Sequence, residues 1–339
     1  MALPRQKSPL GLKNDIVIPG LSPAAYRQHP LHEATRDWPE TNCYVDLWIE
    51  VLNSLGLAPE AGLAFTVAQD FEGDHFTFFK YPLEDLAALY GLSATELAIY
   101  DNVENHVLEQ IARGRMALVE VDAFYLPDTR GVSYGLEHSK TTIAINRLDP
   151  ANRNVDYFHN AGFFSLQGED FDGVFQRDGH VSRRPDTLFP YVEFVKIGAC
   201  DRSPERIRKV AVDLLRRHLA LAPQDNPVRA FAGRIDEDIH WLVQREPVFF
   251  HKYAFNTLRQ LGANFELLAS HLEWLSTQGE AGLVEPRDTA RAISSGAKTM
   301  QFQLARAVNR KRTEGLPAML DGIAAAWDQT LGALRSRYA

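Results

Sequence analysis

Residues Pro39–Leu55, PETNCYVDLWIEVLNSL, read as a capped amphipathic helix carrying one of the chain's two cysteines. Thr41 or Asn42 supplies the short side-chain oxygen that accepts from free N–H groups of a first turn. Val45, Trp48, Val51, Leu52 and Leu55 recur at helical spacing, so one stripe faces a core. Gly56 fits the left-handed stop after the last turn. Cys43 then stands at or next to the first helical position. There the positive end of the helix dipole favours a thiolate, and free N–H groups suit an oxyanion. The alternative at the same position is an inert, small, buried apolar side chain.

Composition bounds what such a helix can belong to. With 339 residues there is room for two domains or one large one. Apolar content of 45% and charged content of 24% describe an ordinary globule. A formal charge of −8 disfavours bulk binding to nucleic acid or an anionic membrane. Two cysteines make neither a disulfide framework nor a four-thiolate zinc site. Met1–Asp15 lacks the apolar core of a signal peptide, and no uncharged apolar run approaches the roughly 18 residues of a membrane span. The expectation is a cytoplasmic protein with Cys43 as a free thiol, no metal and no bound cofactor.

Around the Cys43 helix the pattern changes twice. Residues 1–38 are proline-punctuated and irregular, with Val17-Ile18 as a short edge strand at most. Leu63–Val67 and Phe76–Phe79 are β-like, rich in aromatic and branched residues. The run Gln69–His75 between them lacks the terminal glutamate of a calcium loop and reads as an acidic surface loop. Leu83–Tyr90 is a short helix, Ser93–Glu96 reads as a capping box opening another, and Asn102–Arg113 as a third. At Gly114 the period becomes extended. Met116–Leu126 is a strand with Glu120 and Asp122 on one face, followed by strands Thr141–Asn146, Val155–Asn160 and Pro190–Ile197. Phe163–Leu166 continues the third of these or starts another. Turn chemistry at Asp149–Asn152 joins two of them into an antiparallel hairpin. From Ser203 the signal is helical, with stretches starting at Pro204 and Pro227 and others at about 248–276, 286–312 and 315–337. A boundary near 200 therefore divides an α+β domain, 1–200, from an all-helical domain, 201–339.

Thiol chemistry needs a base in reach of the sulfur and a third group orienting that base. His138 precedes the strand Thr141–Asn146, and Asn160 ends the returning strand, so both fall at one edge of the hairpin. Asn160 is then placed to accept from the ring N–H of His138 and fix its tautomer. His159 and Asp156 compete for that role. Asp156 shares a strand face with Phe158 and His159 lies on the other, so alternation does not choose. Among eleven histidines a polar loop residue or a satisfied strand-end residue is the commoner reading. The joint placement of Cys43, His138 and Asn160 is what raises the thiol site above it.

Trp38–Trp48 around Asn42-Cys43, Asp70–Asp74, Glu120–Asp128, His138 through Ile143, and Tyr157–Gly162 resemble the bacterial proteins of the domain of unknown function 1839 family. The resemblance runs over nearly the whole chain, including Tyr253–Leu275 and Gln301–Arg306. Relatives are similar to proteins encoded beside amino acid:carrier-protein ligases. More distantly, the layout resembles the butirosin-H type acyltransferases, which have a papain-like N-terminal half and a helical C-terminal half. These resemblances imply an α+β, papain-like cysteine-nucleophile fold, with the N-terminal helix packed on an antiparallel sheet and a helical domain following. They imply a thiol acyltransferase that takes an aminoacyl group from the phosphopantetheine thioester of an acyl carrier protein to an acceptor amine or hydroxyl. Carried over, Cys43 is the nucleophile, His138 the base and Asn160 the orienting group, with Asn42, His159 and Asp122 as substrate-binding residues. The butirosin-H type has Asp-Pro where this chain has His159-Asn160, so the third group stays open. A papain-type oxyanion glutamine is not evident before Cys43, leaving backbone N–H groups or Asn42 for that role. Two further readings remain: a thiol hydrolase acting on a peptide, amide or thioester, and a non-catalytic carrier-protein-binding module. Carrier proteins are generally acidic. Among the basic residues Arg291, Lys298, Arg306, Arg310, Lys311 and Arg312, Arg306 and Arg310 are the expected docking pair, the alternative being a solvated helix end favoured by the dipole.

Overall fold

The computed structural model describes residues 15–177, 188–310 and 316–338. Two compact units emerge, each assembled from separated stretches of sequence. The first comprises 1–29, 42–57 and 91–200, and the second 30–41, 58–90 and 201–339.

Among the described residues of the first unit six strands form one antiparallel sheet: β1 (Leu92–Glu96), β2 (Met116–Asp122), β3 (Lys140–Asp149), β4 (Asn154–His159), β5 (Gly162–Gln167) and β6 (Val192–Ile197). Their spatial order is β1-β6-β2-β3-β4-β5. The first four α-helices among the described residues are α1 (Cys43–Ser54), α2 (Leu83–Tyr90), α3 (Val103–Ala112) and α4 (Glu169–Val174), of which α2 belongs to the second unit. Side chains alternate across the sheet. Ala117, Val119 and Val121 of β2, Ile143 and Ile145 of β3, and Val155 and Tyr157 of β4 pack with Val107 and Ile111 of α3 and Phe171 of α4. Helix α1 packs on β3, β4 and β5, and Phe158 of β4 points away from the α3 cluster to meet the edge of Tyr26. The β4–β5 turn is Asn160-Ala161, since His159 pairs with Gly162. Asn160 takes φ 44° there, a left-handed conformation that asparagine tolerates better than most residues. The strand expected at Val17-Ile18 is reduced to a bridge between Ile16 and Arg147. Buried Asn146 fixes it by accepting from Ile18 N at 2.7 Å and donating to Ile18 O at 3.1 Å, next to a bulge in β3.

The second unit is helical: α2, then α5 (Pro204–Leu221), α6 (Pro227–Ala232), α7 (Ile235–Leu242), α8 (Pro247–Ala254), α9 (Gln260–Thr277), α10 (Val284–Arg310) and α11 (Leu316–Tyr338). Proline opens α5, α6 and α8, where its missing N–H and fixed φ suit a first turn. Helix α9 packs on α10, and α10 on α11.

Several local expectations are corrected. Leu63–Val67 is not a strand but part of a 3-10 helix, Pro59–Ala68, buried almost throughout. A short apolar run enclosed on all sides has no periodicity that separates strand from helix. Phe76–Phe79 contributes only a bridge from Phe76 to Phe71. Ser93–Glu96 opens no helix; it lies in β1 and pairs with β6, tertiary pairing having overridden a local capping signal. The strand from Met116 stops at Asp122, which caps a 3-10 turn, Ala123–Tyr125. The helix begun at Pro227 breaks around Gly233, and the stretch near 248–276 is interrupted by a π turn, Phe255–Arg259.

His271 of α9 is fully buried and meets the Glu60 carbonyl through Nδ1 at 2.7 Å. Burial pushes its pKa down to about 4, only partly opposed by that hydrogen bond. An unfolded imidazole titrates near 6.5, so below that pH the unfolded chain takes up a proton that the folded ring refuses. Stability present above pH 6.5 should fall by roughly 3 kcal/mol between pH 6.5 and 4. A His271→Gln variant should lack this part of the acid limb in urea titrations run between pH 7 and 4.5.

Candidate thiol site

Cys43 is the first residue of α1 and half-buried. Asn42 is the cap. Its Oδ1 accepts from Tyr44 N at 3.2 Å and Val45 N at 3.1 Å. The cap therefore uses two first-turn N–H groups and leaves the Cys43 N–H outside its hydrogen bonds. The next residue anchors the helix. Tyr44 donates its hydroxyl to Glu193 Oε2 at 2.8 Å, and Tyr191 donates to Oε1 at 3.0 Å. Glu193 is buried in β6. Burial, then the charge of Glu193, pushes the Tyr44 phenol well above its ordinary range, so it stays a donor. Burial, then the hydrogen bond to Glu193, pushes Tyr191 up to about 12.

His138 precedes β3. Its Nδ1 lies 2.5 Å from Asp122 Oδ2, and a ring nitrogen facing a carboxylate is the one that carries the proton. Asp122 Oδ1 accepts from Phe124 N at 3.1 Å and Ser139 N at 3.2 Å, which orients the carboxylate. The imidazole stacks on Phe124, centroids 4.3 Å apart and planes 12° from parallel. These contacts leave Nε2 as the basic nitrogen on a side chain that is 66% exposed. Glu193 pairs with Leu118 in the sheet, and Leu118 and Asp122 share a strand face by alternation. The anchor of α1 and the partner of His138 thus lie on one side of the sheet.

His159 belongs to a different network on the other side. Its Nδ1 lies 2.5 Å from Asp128 Oδ2, and its Nε2 lies 2.7 Å from Thr141 Oγ1. Tyr157 donates to Asp128 Oδ1 at 2.5 Å. His159 is 1% exposed, with both ring nitrogens engaged. Asn160 is a turn residue, and Asp156 lies 3.7 Å from Arg147. The structure therefore joins His138 to Asp122 rather than to Asn160. Among the described residues, no hydrogen bond joins the Cys43 thiol to His138 or Asn160. Asp122 was legible as a polar face residue of β2, but its pairing with His138 needed the β2–β3 register. Glu193 carried a signal, a carboxylate between Val192 and Phe194 in an apolar strand, whereas Asp128, between Pro127 and Thr129, reads as an ordinary turn residue.

In the helical unit Arg306 and Arg310 are exposed near the end of α10, and Lys311 and Arg312 lie outside the described residues. Arg291 pairs with Glu273, and Lys298 donates to the Asp37 carbonyl at 2.8 Å. Among the described residues, no helix is long and apolar enough to cross a membrane.

Family profiles match two segments, the DUF1839 N-terminal domain over residues 27–197 and the DUF1839 C-terminal domain over residues 205–336. The chain belongs to the DUF1839 family. A comparison with curated proteins gives no match. The junction of the two family domains falls where the last strand, β6, gives way to α5. Cys43, His138 and Asp122 all fall in the N-terminal family domain.

Asp122→Asn should turn an amide N–H toward Nδ1 and move the His138 proton to Nε2, because an amide donates where a carboxylate only accepts. Long-range nitrogen–proton NMR of the His138 ring reads this directly. The parent should show a protonated Nδ1, and the variant a protonated Nε2.

Proposed function

We propose that this protein is a cysteine-dependent acyltransferase that carries an aminoacyl group on Cys43 from a carrier-protein phosphopantetheine thioester to an acceptor amine or hydroxyl. The observation that carries it is the Asp122–His138 pair, whose hydrogen bond leaves Nε2 as the base, in the same unit as a thiol at the first turn of a capped helix. The helix packed on an antiparallel sheet supports a papain-like reading of that unit. The carrier-linked donor follows from the sequence resemblance.

In this mechanism His138 Nε2 takes the thiol proton, and Cys43 Sγ attacks the thioester carbonyl. The Cys43 N–H faces the developing oxyanion. Collapse breaks the bond to the phosphopantetheine sulfur, which leaves with the proton from His138, and an aminoacyl–Cys43 thioester remains. The acceptor then attacks while giving its proton to His138, and the thiol is regenerated. The step requires His138 to reach Cys43 once the donor is bound, and catalytic hydrogen bonds often tighten only in the substrate complex. A thioester is already activated, so the enzyme's task is to orient the acceptor and exclude water.

Mixing the protein with an aminoacylated carrier protein should add the mass of one aminoacyl group at Cys43, read by intact-protein mass spectrometry. Cys43→Ser should show no adduct, and His138→Ala should form it roughly 10²-fold more slowly or worse. Rapid loss of the adduct to water without any acceptor would favour a hydrolase. No adduct, with ordinary alkylation of Cys43, would leave a binding module.

Exposed Arg306 and Arg310 suit an acidic carrier protein. Reversing both charges should weaken carrier binding at low salt, with the difference shrinking as salt screens it. Unchanged affinity at low salt would remove these residues from the docking surface.

A further inference from the structure

Helices α9 and α10 each carry a polar stripe where they pack together. On α9 it is Glu266, Ser270 and Glu273, and on α10 it is Arg291, Ser294 and Ser295, both at helical one-face spacing. With Thr35, Arg36 and Asp37 these side chains line a cleft of about 370 Å³ within the helical unit. Most of its polar groups are internally matched. Glu266 accepts from the backbone N–H groups of Asp37 at 3.1 Å and Trp38 at 2.9 Å. Arg36 Nη2 reaches Ser270 Oγ at 3.2 Å, and Glu273 pairs with Arg291.

Two buried polar atoms of the described lining have no partner. Ser294 is 2% exposed, and its Oγ has no hydrogen-bond partner. Arg36 Nε is also buried without one. An unpaired buried polar atom is disfavoured unless something else satisfies it, and both belong to residues lining the same cleft. The Asp37 residue on its rim is exposed.

We infer that this cleft binds a free α-amino acid, or a small zwitterion of the same chemistry. The unmatched N–H and O–H call for an acceptor, which disfavours a simple cation. Three carboxylates against two guanidinium groups in the lining disfavour a simple anion. Among the described residues, no aromatic ring lines the cleft to stack a nucleobase or sugar face. A ligand with one carboxylate and one ammonium meets both demands. Its carboxylate takes Arg36 Nε and Ser294 Oγ, and its ammonium faces Asp37. The inference does not rest on chemistry at Cys43, and it holds or fails by binding alone.

The test is isothermal titration of the full-length Cys43→Ser protein with a panel of free L-amino acids. At least one should bind saturably, with a dissociation constant in the roughly micromolar-to-millimolar range usual for small substrates. For the amino acid that binds best, the N-acetylated form and the carboxamide should each bind roughly tenfold more weakly or not at all. Arg36→Gln should reduce affinity by a similar factor. Ser294→Ala guards against misfolding as an explanation. It removes an unsatisfied hydroxyl, so the ligand-free variant should melt no lower than the parent while its ligand-induced stabilisation shrinks. Absence of saturable binding by any amino acid overturns the inference. So does equal binding of the blocked analogues, which would show that neither the ammonium nor the carboxylate is recognised, or unaltered affinity in both variants.

Discussion

The register between β2 and β3 is the constraint on which the candidate site depends. Val121 opposes Thr141 and Asp122 opposes Lys140. Period-two alternation then sends Asp122 to the side of the sheet that carries Glu193, and Thr141 to the side packed by α3. A slip of one residue would exchange the two sides for the whole strand. It would place the partner of His138 in an apolar cluster and expose valines to the helix-anchoring side. The hydrophobic set of β2, β3 and β4 against α3 and α4 is therefore what holds a carboxylate in place for His138. Core packing and site geometry are set by the same pairing.

That sidedness also separates His138 from His159. Both have an aspartate at 2.5 Å on Nδ1. At His159 the second nitrogen meets a threonine hydroxyl and the ring is closed off from solvent. Every polar atom of the ring is satisfied, so the group ties the Asp128 turn to β3 and β4. At His138 the carboxylate is fixed by two backbone N–H groups and the imidazole lies flat on Phe124, yet the ring stands largely in solvent. An acid–base group needs this combination of a determined tautomer and an available nitrogen. Burial, rather than the presence of a carboxylate partner, distinguishes the closed ring of His159 from the open one of His138.

Much of this was legible in the residues. The capped Cys43 helix, the antiparallel middle of the chain and the helical run after Ser203 follow from periodicity and capping signals that tertiary contacts reinforce. What could not be read was set by pairing at a distance. Ser93–Glu96 has the letters of a helix start but the hydrogen bonds of an edge strand, because β6 offers partners that local sequence does not show. Pro59–Ala68 is enclosed on every side, which erases the pattern that names a secondary structure. The orienting group of His138 was sought one hairpin forward, at Asn160, although the neighbouring strand on the other side supplies Asp122. Polar alternation in β2 put Glu120 and Asp122 on one face without saying which residue across the sheet each would meet.

The attachment of α1 shows how position is held at some expense of polar burial. Two buried carboxylates tie the helix down. Glu193 takes the hydroxyls of Tyr44 and Tyr191. Glu50, within α1, takes the hydroxyl of Tyr26 at 2.5 Å and the backbone N–H of His29 at 3.0 Å. Burial pushes Tyr26 and Tyr44 upward, so both stay donors across the accessible pH range. Hydrogen bonds to carboxylates are individually strong, but burying such a group offsets most of the gain. Apolar residues of similar volume would hold the helix about as firmly while allowing it to slide or rotate. Directional bonds at each end of α1 remove that freedom. A half-buried thiol on the first turn is thereby kept at a fixed height over the sheet.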